Sequence, residues 1–154
     1  MFIKTMQAPS VRQLCFYWLP PLLFTGGILA LSGDLGSSAN TQALVEWLFP
    51  WLPFLGRIGE GHGYLRTAGH ITAYASLYYL WFRALRRRFA PKTGLAILVA
   101  LGLCLLISVA DEGHQALLPS RQGRITDVAL DFGAAVLTAL ALSFKRIYFY
   151  KLSD

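Results

Sequence analysis

Residues 108–133 read SVADEGHQALLPSRQGRITDVALDFG, and they leave one long apolar segment through a short polar turn and enter another. Asp111, Glu112, Asp127 and Asp131 fall in this stretch, together with His114, Gln115, Arg121 and Arg124. Charges that flank or enter an apolar span are costly, so they are usually paired, functional or both. The turn at residues 119–124 is too short for anything but an antiparallel helical hairpin. The rest of the chain reads as a means of holding this hairpin at one membrane surface.

Composition supports that reading. Of 154 residues, 55% are hydrophobic and 14% charged, and the mean hydropathy is +0.49. Soluble domains carry about 25% charged residues, and here the apolar residues come in blocks. At ~1.5 Å rise per residue, ~20 residues cross the ~30 Å hydrocarbon core. The expected fold is therefore all-α: a polytopic membrane protein, one domain over residues 1–154, with a four-helix transmembrane bundle. The spans are expected at roughly 14–32, 66–86, 93–118 and 125–144, with an outer loop at 33–65. Cys15 and Cys104 fall in apolar spans with no repeated spacing, so they read as small buried hydrophobes rather than a disulfide or thiolate metal site.

Within the first span, Pro20-Pro21 should introduce a kink. A cleaved signal peptide ending near Ala30-Leu31-Ser32 is the second reading of that segment, disfavoured by its length and by the membrane-embedded remainder. Residues 41–49 suggest a short helix, stopped by Pro50 and Pro53. With Trp47, Phe49, Trp51 and Phe54 it should lie in the interface or re-enter the bilayer. The glycine-rich segment 56–64 (GRIGEGHGY) is expected to be a connector or a mobile flap. It is no nucleotide loop, lacking a preceding strand and a Walker lysine.

Ten of the 14 basic residues lie at one set of span ends: Lys4, Arg12, Arg83, Arg86, Arg87, Arg88, Lys92, Lys145, Arg146 and Lys151. Four spans with that asymmetry place both termini in the cytoplasm. The arginine cluster then serves anchoring and contact with anionic lipid. No folded domain is available to make it a nucleic-acid patch. Seven of the eight acids and all three histidines gather at the other, outer end.

Spacing sorts this outer set. Asp111 and Gln115 are i, i+4, Glu112 and Gln115 are i, i+3, and Ser108 lies one turn below Glu112. Asp127 and Asp131 share a face, so at least one should meet an arginine or be protonated. His70, Tyr74 and Tyr78 also share a face, where the tyrosines suit packing and the imidazole needs a partner. An arginine fork at Arg121 and Arg124 suits a bidentate carboxylate or phosphate.

Arg66-x-x-x-His70-x-x-x-Tyr74, Asp111-Glu112-x-x-Gln115, Pro119-x-Arg121 and Asp127-x-x-x-Asp131-x-Gly133 together resemble the VanZ-like family. These are small bacterial integral membrane proteins named after a teicoplanin-resistance factor. The resemblance covers residues 66–136. It departs from the common pattern of Arg-Lys before the histidine and Glu-Tyr after it, since this chain has Arg66-Thr67 and Ala73-Tyr74. It implies a cell-envelope role in the cytoplasmic (inner) membrane and specifies no reaction.

Three functional readings follow. In the first, an outer-leaflet pocket binds or processes an anionic, lipid-linked envelope molecule. Its substrate-binding residues would be Arg66, Tyr74, Asp111, Gln115, Arg121, Arg124, Asp127 and Asp131, with Glu112 and His70 as candidate catalytic base and acid. This reading assigns no metal and no cofactor, and its partner is a membrane lipid or lipid-linked precursor. In the second, His70, Glu112 and Asp127 hold the metal of an intramembrane hydrolase, with His114 or His62 in reserve, although no His-Glu-x-x-His spacing is present. In the third, the charges form an ion-pair network that only pins the hairpin.

Overall fold

The computed structural model describes residues 10–33, 62–90, 92–119 and 123–151, without the side chains of 62–65 and 145–151. These residues form four helices and no strand: α1 (Val11–Leu31), α2 (His62–Arg88), α3 (Thr93–Ala116) and α4 (Ile125–Lys151). Three of them, α1, α3 and the Ile125–Phe144 part of α4, are long and apolar enough to cross a membrane. The proposed interfacial helix at 41–49 and the loop 33–65 lie outside the described residues, apart from Gly33 and the first turn of α2.

Helix ends follow local chemistry. Ser10 caps α1: its Oγ accepts from the Gln13 N–H at 3.3 Å, and Gln13 Oε1 accepts from the Ser10 N–H at 3.4 Å. Pro20 and Pro21 lie inside α1, which remains one helix to Leu31. Near this pair the Thr25 hydroxyl donates to the Pro21 carbonyl at 2.8 Å. The second span was expected to begin at Arg66, but α2 starts at His62, so the end of the glycine-rich connector is helical. α4 likewise runs past 144 to Lys151, because residues 145–151 contain neither proline nor glycine to stop it.

Helix α2 is the hub, packing on α1, α3 and α4, whereas among the described residues α1 makes no contact with α4. Its buried stripe is large: Tyr74, Leu77, Tyr78, Trp81 and Leu85. The facing stripes are small, with Ala96, Ala100 and Cys104 on α3 and Ala134, Ala135 and Ala139 on α4. Small residues let helices approach closely where apolar burial alone supplies little drive. Large side chains of one helix therefore fill the space that alanines leave on two others. Cys104 is buried as expected, but Cys15 is exposed on the outside of α1, because that helix packs on α2 and α3 by one face only.

The arginine cluster also grips protein. Arg83 donates to the Phe16 carbonyl at 2.8 Å and lies over the Phe16 ring, while Arg87 lies 4.4 Å from the Tyr17 ring centroid and donates to its hydroxyl. These contacts tie the start of α1 to the end of α2 and fix the antiparallel pairing. The opposite end of the bundle is left to the polar residues of α2, α3 and α4.

Candidate functional site

Each polar residue at that end is placed by a helical register already set by the core. On α2, His70 lies one turn before Tyr74 and Arg66 one turn earlier still. On α3, the stripe Ala96, Ala100, Cys104 continues through Ser108, Asp111, Glu112 and Gln115, all buried. On α4, Asp131 lies one turn before Ala134 and Ala135, and Asp127 one turn further out. Core packing thus carries three polar patches to one place.

Two hydrogen-bonded chains form there. In the deeper one, Asp131 is fully buried (0% exposed). Its Oδ2 accepts from the Ser108 hydroxyl at 2.7 Å, and its Oδ1 lies 2.9 Å from His70 Nδ1.

The outer chain begins at Asp127. Its Oδ2 accepts from Arg66 Nη2 at 2.7 Å, and the same nitrogen reaches Gln115 Oε1 at 3.4 Å. Gln115 Nε2 in turn donates to Glu112 Oε1 at 3.5 Å. Glu112 Oε2 accepts from the backbone N–H of Arg124 at 2.9 Å. The Arg66–Asp127 pair is partly exposed, at 36% and 20%, whereas Glu112 is only 4% exposed.

Gly123 makes the last link possible. A Cβ there would collide with the Glu112 carbonyl and would meet Ala116 Cβ at 2.8 Å. Only glycine lets the hairpin come down onto the last turn of α3 and aim the next N–H at Glu112. Sequence reasoning missed this residue; its signal was a lone glycine in a six-residue connection.

His114 was held in reserve as a ligand, but it turns toward α1. Its Nδ1 lies 3.2 Å from the buried Ser32 hydroxyl, which gives its one proton to the Asp111 carbonyl at 3.0 Å. His114 therefore joins α1 to α3 outside the cluster, a role that sequence spacing did not suggest. His62 begins α2, but its side chain is not described, and Arg121 lies outside the described residues. Tyr74 and Asp111 are at the site and buried. Asp111 Oδ1 has no hydrogen-bond partner among the described residues, and the Tyr74 hydroxyl makes no close one, although it stands near Ser108.

Two further features bear on chemistry. His70, Glu112 and Asp131 each offer a ligand atom within 4.8 Å of the other two. The hydrolase reading named Asp127 as third member, but Asp127 is turned toward Arg66, and Asp131, one turn deeper, takes that place. Beside Glu112 a cavity of about 220 Å³ runs between α3 and α4, lined by Val109, Gly113, Gly123, Arg124 and Val128 among others. Val109 is largely exposed, so an apolar outer surface leads toward the carboxylate.

A family model described as VanZ/LLP1 matches residues 16–146. No curated protein and no solved structure matches the chain.

Proposed function

The chain belongs to the VanZ/LLP1 family, and from that premise we propose that it is a four-span protein of the bacterial cytoplasmic membrane with an outer-leaflet site for an anionic, lipid-linked envelope molecule. Three helices meet the length and hydropathy needed to span. The fourth, α2, is 27 residues long, or about 40 Å. Apart from His70, it carries no charge between Arg66 and Arg83. Packed among the others, it spans with them.

The carrying observation is the outer chain from Asp127 through Arg66 and Gln115 to Glu112 and the Arg124 amide. It is a polar recognition surface at the mouth of an otherwise apolar bundle, next to a cavity with apolar walls. An amphiphile with a charged head and an apolar tail fits such a place. The head would meet Arg66, Arg124 and Arg121, while the tail lies along Val109 and Val128. Should the bound molecule also be processed, Glu112 would serve as base and His70 as acid.

The test is retention of a phosphomonoester lipid. Wild-type protein in phosphatidylcholine nanodiscs doped with phosphatidic acid should retain that lipid through native mass spectrometry. Arg121→Lys and Arg66→Lys should lose most of it while folding normally, because an ammonium cannot replace the guanidinium fork. Unchanged retention in both variants would leave the ion-pair network as the better reading.

A further inference from the structure

We propose that His70, Glu112 and Asp131 hold a divalent cation of the Mn²⁺ or Zn²⁺ class, which bridges the protein to the anionic head group. The bridging role rests on the function proposed above; the cation site does not.

Geometry is the first support. One donor atom from each residue lies within 4.8 Å of the other two. Ions with bonds of ~2.0–2.2 Å set neighbouring donors about 3 Å apart and opposite donors a little over 4 Å apart. The 2.9 Å between His70 Nδ1 and Asp131 Oδ1 is therefore also the separation of two adjacent ligands. A small shift of Glu112 completes a three-residue set with open positions. One imidazole and two carboxylates suit first-row divalent ions better than Mg²⁺ or Ca²⁺, which favour oxygen alone.

The surroundings match what a metal site needs. Ser108 holds one oxygen of Asp131, while the Arg124 N–H and the Gln115 amide hold Glu112. Ligating carboxylates are usually oriented by outer partners of this kind.

The second, independent support is an unsatisfied buried carboxylate oxygen. Asp111 Oδ1 belongs to a residue 4% exposed and has no hydrogen-bond partner among the described residues. Asp111 stands close enough to Glu112 and Tyr74 for its charge to act on both. A cation carrying water would supply a donor for that oxygen.

Charge gives the third support. Asp111, Glu112 and Asp131 bring three carboxyl groups into one buried cluster, and a divalent ion would offset their mutual repulsion.

The test uses the full chain in detergent, with a purification tag free of histidine, stripped with EDTA and titrated with Mn²⁺ alone. Free Mn²⁺ is followed by electron paramagnetic resonance and bound metal by elemental analysis. Wild type should bind one ion per chain. His70→Gln, Glu112→Gln and Asp131→Asn should each weaken binding at least as much as the roughly 10–100-fold loss typical of outer-shell changes. His114→Gln, outside the cluster, should leave it unchanged. Circular dichroism checks that each variant is helical, and wild-type stoichiometry stands without any variant.

No bound ion, or binding that survives all three substitutions, overturns the site. Phosphatidic acid retention with Mn²⁺ and with EDTA separates the two ideas. Retention that is equal in both overturns the bridge. Ion binding with no retention in either overturns the head-group reading and leaves the cation site standing.

Discussion

Nδ1 of His70 and Oδ1 of Asp131 stand 2.9 Å apart across the α2–α4 contact, with the carboxylate fully buried and its other oxygen held by Ser108. One turn outward the same two helices are joined again, by Arg66 and Asp127 at 2.7 Å, in a partly exposed pair. The two contacts have similar lengths and very different surroundings, and their energetic weights should differ accordingly.

Removing one partner of a buried pair leaves an uncompensated group and typically costs ~3–5 kcal/mol. An exposed pair contributes ~0–1 kcal/mol. Asp131→Ala should therefore lower the melting temperature in detergent far more than Asp127→Ala. Equal shifts would mean that water reaches Asp131.

Gly123→Ala should cost about 1–3 kcal/mol, the usual range for forcing atoms into a packed site, because the new Cβ meets the Glu112 carbonyl. Gly113→Ala is the control, since nothing lies within 4 Å of a Cβ there. In the last turn of α3 that change should stabilise by less than the ~1 kcal/mol of a helix interior. Thermal unfolding of both variants beside wild type checks the contrast. A neutral Gly123→Ala would show that the hairpin does not rest on α3.

Tyr74→Phe removes a buried hydroxyl that stands near Ser108 but makes no close hydrogen bond among the described residues. An unmade buried hydrogen bond costs ~1–3 kcal/mol, so the ligand-free variant should melt at the wild-type temperature or a few degrees higher. Retention of metal and of phosphatidic acid should fall in the same variant. A marked drop in melting temperature without ligand would mean that the hydroxyl is already satisfied inside the protein.

Orientation is tested by cysteine labelling on a background with Cys15 and Cys104 replaced by serine. Leu117→Cys, at the exposed end of α3, should react with a membrane-impermeant maleimide added to intact spheroplasts. Arg86→Cys should react only after permeabilisation. The reverse pattern would put the polar site in the cytoplasmic leaflet.

The four long helices of the described residues, their approximate bounds and the family were legible along the chain, because length, hydropathy and motif order are properties of consecutive residues. Spacing placed Ser108, Asp111, Glu112 and Gln115 on or beside one face of α3, but that this face continues the packed stripe Ala96, Ala100, Cys104 emerged only from the helix packing. Pairing across helices was not legible. Asp127 and Asp131 lie on one face of α4, so either could meet an arginine, and the sequence reading put Asp127 rather than Asp131 with His70 and Glu112. The depth at which α2 crosses α4 decided that Asp127 meets Arg66 and Asp131 meets His70. His114 and Gly123 show the same limit: whether a histidine faces Ser32 or the cluster, and whether a glycine touches a carbonyl, depends on how separate helices pack. Periodicity gives each residue its face, but only the packing of large α2 side chains against the alanines of α3 and α4 sets the relative height of those faces.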